Sequence, residues 1–155
     1  YLCIFMCDLS DDTNDIIKYF KTIKKDKSLH AVFGTRFSKF SKVENYPFFK
    51  LILNRLANNL IKIITLTDYN DFTNAFKIYK KETLNKLMPL VSENFNIFLE
   101  LPLKIISRKY KYKVIPINWN GRTTGVSKFK IKEIGSMYIF TLCYCLLEKI
   151  LLNKK

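Results

Sequence analysis

The sequence predicts an α/β fold, a sheet flanked by helices. Short apolar runs rich in strand-forming residues, YLCIFMC at 1–7 and HAVFGTRF at 30–37, alternate with segments whose apolar residues recur at helical spacing. The first third therefore reads strand–helix–strand, an order that implies a parallel sheet. The chain has 155 residues, 48% of them apolar and 15% aromatic, which suffices for one domain with a core and excludes disorder as a whole-chain description.

Each element follows from its own pattern. Residues 2–7 read as a short, continuous, fully buried strand. Asp12, Thr13 or Asn14 can cap the next helix, in which Ile16, Phe20 and Ile23 recur with Lys18, Lys21, Lys24 and Lys25 between them. Residues 30–37 form a second strand running into a loop, and SKFSKVENYP is a polar loop closed by Pro47. From Phe48 to about Leu66 a long helix carries Leu51, Ile52, Leu56, Leu60, Ile63 and Ile64 on one broad face. Its Lys50, Arg55 and Lys62 make it too charged to span a membrane. Residues 67–76 read as a loop and short strand, KKETLNKLMPL as a helix, and Phe95 to Ser107 as a helix bent at Pro102. Residues 112–119 form an edge or irregular strand, because Pro116 cannot donate to a ladder. NGRTTGVSK is a loop, and Ile131 to Leu152 a last, strongly apolar helix. No repeat, low-complexity tract or linker divides the chain.

The net charge of +14 suits a polyanionic partner: nucleic acid, a phosphorylated substrate or an anionic membrane face. The four cysteines form no CxxC pair and sit in apolar runs, so buried thiols in a reducing compartment are expected. No signal peptide is visible, and the chain opens inside an apolar strand, so a segment upstream is expected.

Asp8 stands where a strand of a parallel α/β sheet ends, the edge at which such sheets bind ligands. With Ser10, Asp11 or Asp12 it could supply a partial oxygen cage for Mg²⁺, which is often held by one or two carboxylates plus substrate phosphates. An EF-hand is excluded: its glycine position holds Thr13 and its last ligand position Tyr19. Helix capping explains Asp11 and Asp12 equally well but leaves Asp8 unexplained. GRTTGVSK carries Arg122, Ser127 and Lys128 on a permissive backbone, suited to a diphosphate or to a basic surface turn, and it is not a Walker loop. Arg36 follows a strand at the same edge. Arg55, in an otherwise apolar helix, either snorkels or meets an anion. Asp71 is a base, a metal ligand or an Asx-turn residue, and Glu100 inside an apolar helix needs a partner.

Taken in order, MCDLSDD, FGTRF, LNRLANNL, NDFTNAFKIYKK, FNIFLELPLK and VIPINWNGRTTGVSK resemble the second half of a family 2 glycosyltransferase. The branch is the one containing dolichol-phosphate mannosyltransferases and bacterial polyprenyl-phosphate glycosyltransferases. The resemblance covers nearly the whole chain and rests on the ordered set. It implies a GT-A fold, the later part of a mixed sheet flanked by helices, with residues 1–130 as the later part of the catalytic domain and 131–155 as an interfacial helix. It further implies hexosyl transfer from a GDP- or UDP-sugar to a polyprenyl phosphate, a divalent cation (Mg²⁺ or Mn²⁺), and a peripheral place on the cytoplasmic face of a membrane, with no nucleic acid partner.

Asp8 corresponds to the second acidic residue of the family's DxD motif, and Met6 replaces the first. Asp8, Ser10 and Asp11 are the metal set that remains. Arg36 and Arg55 match arginines approaching the donor and acceptor phosphates, and Asp71 an acidic residue near the acceptor. Arg122, Ser127 and Lys128 match a loop that closes on the donor diphosphate. Asp8, Asp71 and Arg122 are the catalytic candidates, and Asn74–Ala75 stands where relatives often carry Ser-Gly. The family's first half is absent, so the chain is expected to be a fragment without a complete donor site, inactive alone. Two other readings compete: a basic nucleic-acid-binding module, which basic charge interleaved with Tyr and Phe would suit, and a catalytically incomplete remnant.

Overall fold

The computed structural model describes residues 1–122 and 131–152. Its elements are β1 (Leu2–Ile4), α1 (Thr13–Lys25), β2 (Ala31–Thr35), β3 (Val43–Glu44), α2 (Phe48–Thr65), β4 (Lys77–Tyr79), α3 (Lys81–Lys86), α4 (Ile97–Ser107), β5 (Tyr112–Pro116), β6 (Trp119–Asn120) and α5 (Ile131–Leu152). Four strands form a mixed sheet in the order β1-β4-β2-β5, and β3 pairs with β6 in a small parallel ribbon. β2 and β5 are parallel, from Ala31 opposite Tyr112 to Thr35 opposite Pro116.

The parallel sheet expected from the strand–helix–strand order is corrected in one respect. β1 and β2 do run the same way, but β4 lies between them and antiparallel to both, with Ile78 opposite Cys3 on one side and Val32 on the other. β1 is also shorter than expected and is not fully buried: it is an edge strand, and Leu2 is exposed. A continuous apolar run does not by itself distinguish an edge from a centre. At the opposite edge lies β5, where the strand containing Pro116 was expected.

Alternation along the strands feeds two cores. Val32 and Ile78 meet Tyr19, Ile23, Phe76 and Ile117 on the α1 face. Ala31, Phe33 and Tyr79 meet Tyr69, Phe72, Leu99, Leu103 and Ile105 on the other. Asp12 caps α1 by accepting from Asn14 N–H at 2.9 Å. The buried stripe of α1 is Asp15, Tyr19 and Ile23, and Phe20 faces outward instead of joining it. The expectation of buried thiols holds for Cys145, whereas Cys7 and Cys143 are exposed and Cys3 is half-buried.

α4 is buried from Leu99 through Ile105. Pro102 inside it has no N–H to offer, so the carbonyl of Phe98 loses its helical donor. Glu100 is paired: it accepts from the N–H groups of Val91 and Ser92 and lies 3.2 Å from Lys104. Lys104 also reaches Glu148 of α5 at 3.2 Å, and Glu148 pairs with Arg108. Together with Thr141, which accepts from Asn96 at 2.9 Å, this network docks one face of α5 on α4.

Gly34 sits where β2 crosses α1. A Cβ there would lie 2.0 Å from the Tyr19 hydroxyl, which donates to the Phe76 carbonyl at 2.9 Å, and 2.9 Å from Ile117. Gly34→Ala is expected to destabilise the fold by about 2 kcal/mol or more through overpacking. Urea unfolding measures this, and an unchanged midpoint would contradict the packing described.

Candidate functional site

The directions of the strands bring four loops to one edge. The carboxyl ends of β1, β2 and β5 and the start of β4 all lie there, because β4 alone runs the other way. The loop after β1 carries Asp8, Ser10 and Asp11, and the turn after β2 carries Arg36. The segment before β4 carries Asp71, and the one after β5 leads to Arg122.

These loops are stitched by backbone. Asp11 bridges Trp119, Asn120 N–H donates to the Ser10 carbonyl at 2.9 Å, and Asn118 N–H donates to Asp15 at 2.9 Å. Gly121 is required next to this seam, since a Cβ would lie 2.2 Å from the Asn45 carbonyl oxygen. The acidic loop and the stretch entering Arg122 are therefore held side by side. Ser127 and Lys128 lie outside the described residues.

Arg36 and Asp71 form the centre. Arg36 Nη2 donates to Asp71 Oδ1 at 2.7 Å, and Arg36 Nε to Oδ2 at 2.9 Å. The backbone N–H of Arg36 adds a third bond to Oδ2 at 2.9 Å. Both side chains are buried. Burial opposes the Arg36 charge, but the Asp71 carboxylate outweighs it and the guanidinium pKa is raised. Tyr69 donates to the Asp71 carbonyl at 2.6 Å, and Thr35 donates to Asn70 at 2.7 Å.

Aromatic rings line the guanidinium, with Phe37, Tyr46 and Trp119 centred 5.3, 5.7 and 5.6 Å from it. Phe37 also carries Arg55, whose guanidinium lies 4.3 Å from the ring centre. Arg55 Nη1 is buried and has no hydrogen-bond partner among the described residues. The inner face of α2 beside it is polar. Asn54 and Asn58 both donate to Thr73 Oγ, at 2.9 and 3.0 Å, and so hold the Asp71 segment against α2.

At the acidic loop, Asp8 Oδ1 accepts from Ser10 N–H at 3.2 Å and from its hydroxyl. Asp11 accepts from Met6 N–H at 3.3 Å. Burial pushes the Asp11 carboxyl up to about 6. Met6 N–H and the Arg36 charge pull it down, and Asp8 and Asp15 raise it further. Among the described residues no three His, Cys, Asp or Glu side chains group as a metal-binding cluster. The expected set is two carboxylates and a hydroxyl, and only the carboxylates carry charge.

Sequence reasoning singled out Arg36, Asp71 and Arg55 without the contacts that organise them. It passed over Lys77, Asn54, Asn58, Phe37, Tyr46 and Trp119. The asparagines had a signal, an i,i+4 polar pair inside LILNRLANNL.

No protein-family model matches the chain. It is 26% identical over 122 residues to polyprenol monophosphomannose synthase of Mycolicibacterium smegmatis, covering 71% of this chain and 46% of that protein. It is 30% identical over 132 residues to dolichol-phosphate mannosyltransferase of Pyrococcus furiosus, covering 82% of this chain and 35% of that protein. The chain thus spans less than half the length of these curated relatives.

The buried pair generates a stability prediction. Asp71→Asn leaves the Arg36 charge buried without its counter-ion and is expected to cost about 3–5 kcal/mol. Denaturant titration checks it, and a loss near the exposed-pair level of below about 1 kcal/mol would contradict the burial.

Proposed function

We propose that this chain is the later part of a family 2, GT-A glycosyltransferase. It would move a hexose from a GDP- or UDP-sugar to a polyprenyl phosphate at a membrane surface. The observation that carries the reading is the convergence of Asp8, Asp11, Arg36, Asp71, Arg55 and the approach to Arg122 on one sheet edge, in a chain similar to two proteins named as mannosyltransferases of polyprenol and dolichol phosphates.

The chemistry is mainly electrostatic. A phosphate oxygen of the acceptor attacks the anomeric carbon, the bond from that carbon to the diphosphate breaks, and the nucleoside diphosphate leaves with the electron pair. The acceptor phosphate is already anionic near neutral pH, so its attack needs little help from a base. The larger task is to hold two anions together. Arg55, whose buried Nη1 has no hydrogen-bond partner among the described residues and whose guanidinium lies over Phe37, would bind the acceptor phosphate. Arg36 is engaged with Asp71, so its part is to fix that carboxylate while adding positive charge to the edge. Arg122, Ser127 and Lys128 would meet the donor diphosphate.

Asp8, Ser10 and Asp11 suit a divalent cation shared with that diphosphate: burial, with the nearby Asp8 adding to it, raises the Asp11 pKa, and a cation would offset that cost. Such a cation would supply charge stabilisation of the leaving group.

The surface supports a lipid acceptor. α2 buries Asn58, Ile61 and Thr65 and turns much of its apolar side outward: Phe49 is 80% exposed, Leu56 62% and Ile63 68%. On α5, Ile139, Phe140, Leu147 and Leu151 are exposed on the side away from α4. Among the described residues no helix is long and apolar enough to cross a membrane. An interfacial position, with lysines among the lipid headgroups, suits such faces. The terminal Lys154 and Lys155 lie outside the described residues.

The test is transfer of labelled sugar from GDP-mannose or UDP-glucose into the organic phase with a polyprenyl phosphate, using the full-length protein. Arg55→Ala is expected to lower kcat/KM about 10–100-fold, the worth of a charge-assisted hydrogen bond. Arg122→Ala is expected to lower kcat. No product with any donor would sink the proposal. Flotation with anionic vesicles tests the surface separately: Leu56→Glu with Ile63→Glu is expected to weaken association, and undiminished binding would remove α2 from the interface.

A further inference from the structure

Lys77 opens β4 in the interior of the sheet, opposite Ile4 of β1 and Phe33 of β2, and its side chain is wholly buried. Its ammonium forms no ion pair among the described residues. It donates to three carbonyls: Phe72 at 3.0 Å, Phe98 at 3.3 Å, and Asn74. The Phe98 carbonyl is the one that Pro102 leaves without a helical donor. Phe72 and Asn74 flank Thr73, in the short segment that presents Asp71 to Arg36. One cation thus ties that segment to α4 through an acceptor the helix cannot satisfy itself.

Three acceptors match the three N–H groups of an ammonium. A neutral amine has two N–H groups and a lone pair, so loss of the proton strands one buried carbonyl and turns the lone pair toward it. We infer that Lys77 is a positioning residue whose ammonium form fastens residues 71–76 to α4 and thereby keeps Asp71 in register with Arg36. Its consequence for catalysis rests on the reading of this edge as the reaction site. The fastening itself does not.

Burial lowers the Lys77 pKa to about 7, partly opposed by Asp71 and Asp11 and reinforced by Arg36. The titratable groups around it are Asp11 beyond β1, Arg36 beyond β2, and Asp71 with Tyr69, whose ring centre is 6.0 Å away. On α4 the charged groups are Glu100 and Lys104, which pair with each other. The fastening is therefore complete at pH below about 7 and is lost as pH rises through it.

The test follows the Nε–H resonance of Arg36, which donates to Asp71, by NMR across this range in the wild-type protein. A shift with a midpoint near 7 is expected, and a flat signal overturns the inference. In Lys77→Arg, which stays charged, the signal should hold the low-pH position. In Lys77→Met it should hold the high-pH position. A transition persisting in whichever variant folds assigns it to another group and equally overturns the inference. In the transferase assay, wild-type kcat is expected to fall about tenfold at one pH unit above the midpoint, and that of Lys77→Arg to stay level. Absence of any turnover would sink the proposed function and leave the Arg36 titration to decide the role of Lys77.

Discussion

The buried ion pair between Arg36 and Asp71 is the constraint around which the site edge is built. A guanidinium held in bidentate contact, with a third bond from its own backbone N–H, leaves little freedom in the turn after β2. Removing either partner exposes the other to an unmatched desolvation penalty. Tyr69 and Asn70, just before Asp71, bond to the Asp71 carbonyl and to Thr35, and Asn54 and Asn58 hold the segment against α2. The aromatic ring of Phe37 extends the arrangement to Arg55, so a second guanidinium is placed through a shared ring without competing for the same carboxylate.

Antiparallel insertion of β4 makes this geometry possible. Had β1 and β2 been direct neighbours, the loop carrying Asp71 would not enter the sheet between their carboxyl ends. With β4 reversed, its first residue lies at the ligand-binding edge and Lys77 reaches back under the loop. Pro102 completes the arrangement from the far side, because a helix interrupted by proline offers a free carbonyl where an uninterrupted one would not. Strand direction, a missing N–H and a buried cation are thus coupled.

Much of the secondary structure was legible. Helical spacing marked α2 and α5 closely, and Pro116 marked an edge strand. What the sequence left hidden has physical reasons. An apolar run such as LCIFMC has the same composition at an edge as at a centre, so the edge position of β1 could not be read. α2 shows an apolar face and a polar one, but not which faces the domain. Here the Asn54–Asn58 side turns inward and Leu56 and Ile63 turn out, opposite to the usual arrangement of a soluble helix. At the site, single residues such as Asp71 and Arg36 stood out as charges in apolar surroundings. Their pairing spans 35 positions along the chain and depends on the register of the sheet, which local patterns do not encode.

Lys77 shows why such a site is built at some cost to the fold. A lysine in the unfolded chain keeps its proton to about 10.5, and the buried one keeps it only to about 7. Between those values the unfolded state binds the extra proton, so this group makes the fold gain stability as pH rises. Its clamp works in the other direction and is lost over the start of the same interval. Stability of the whole and order of the Asp71 segment therefore respond oppositely to one proton. That opposition separates the positioning role inferred for Lys77 from any contribution the residue makes to overall stability.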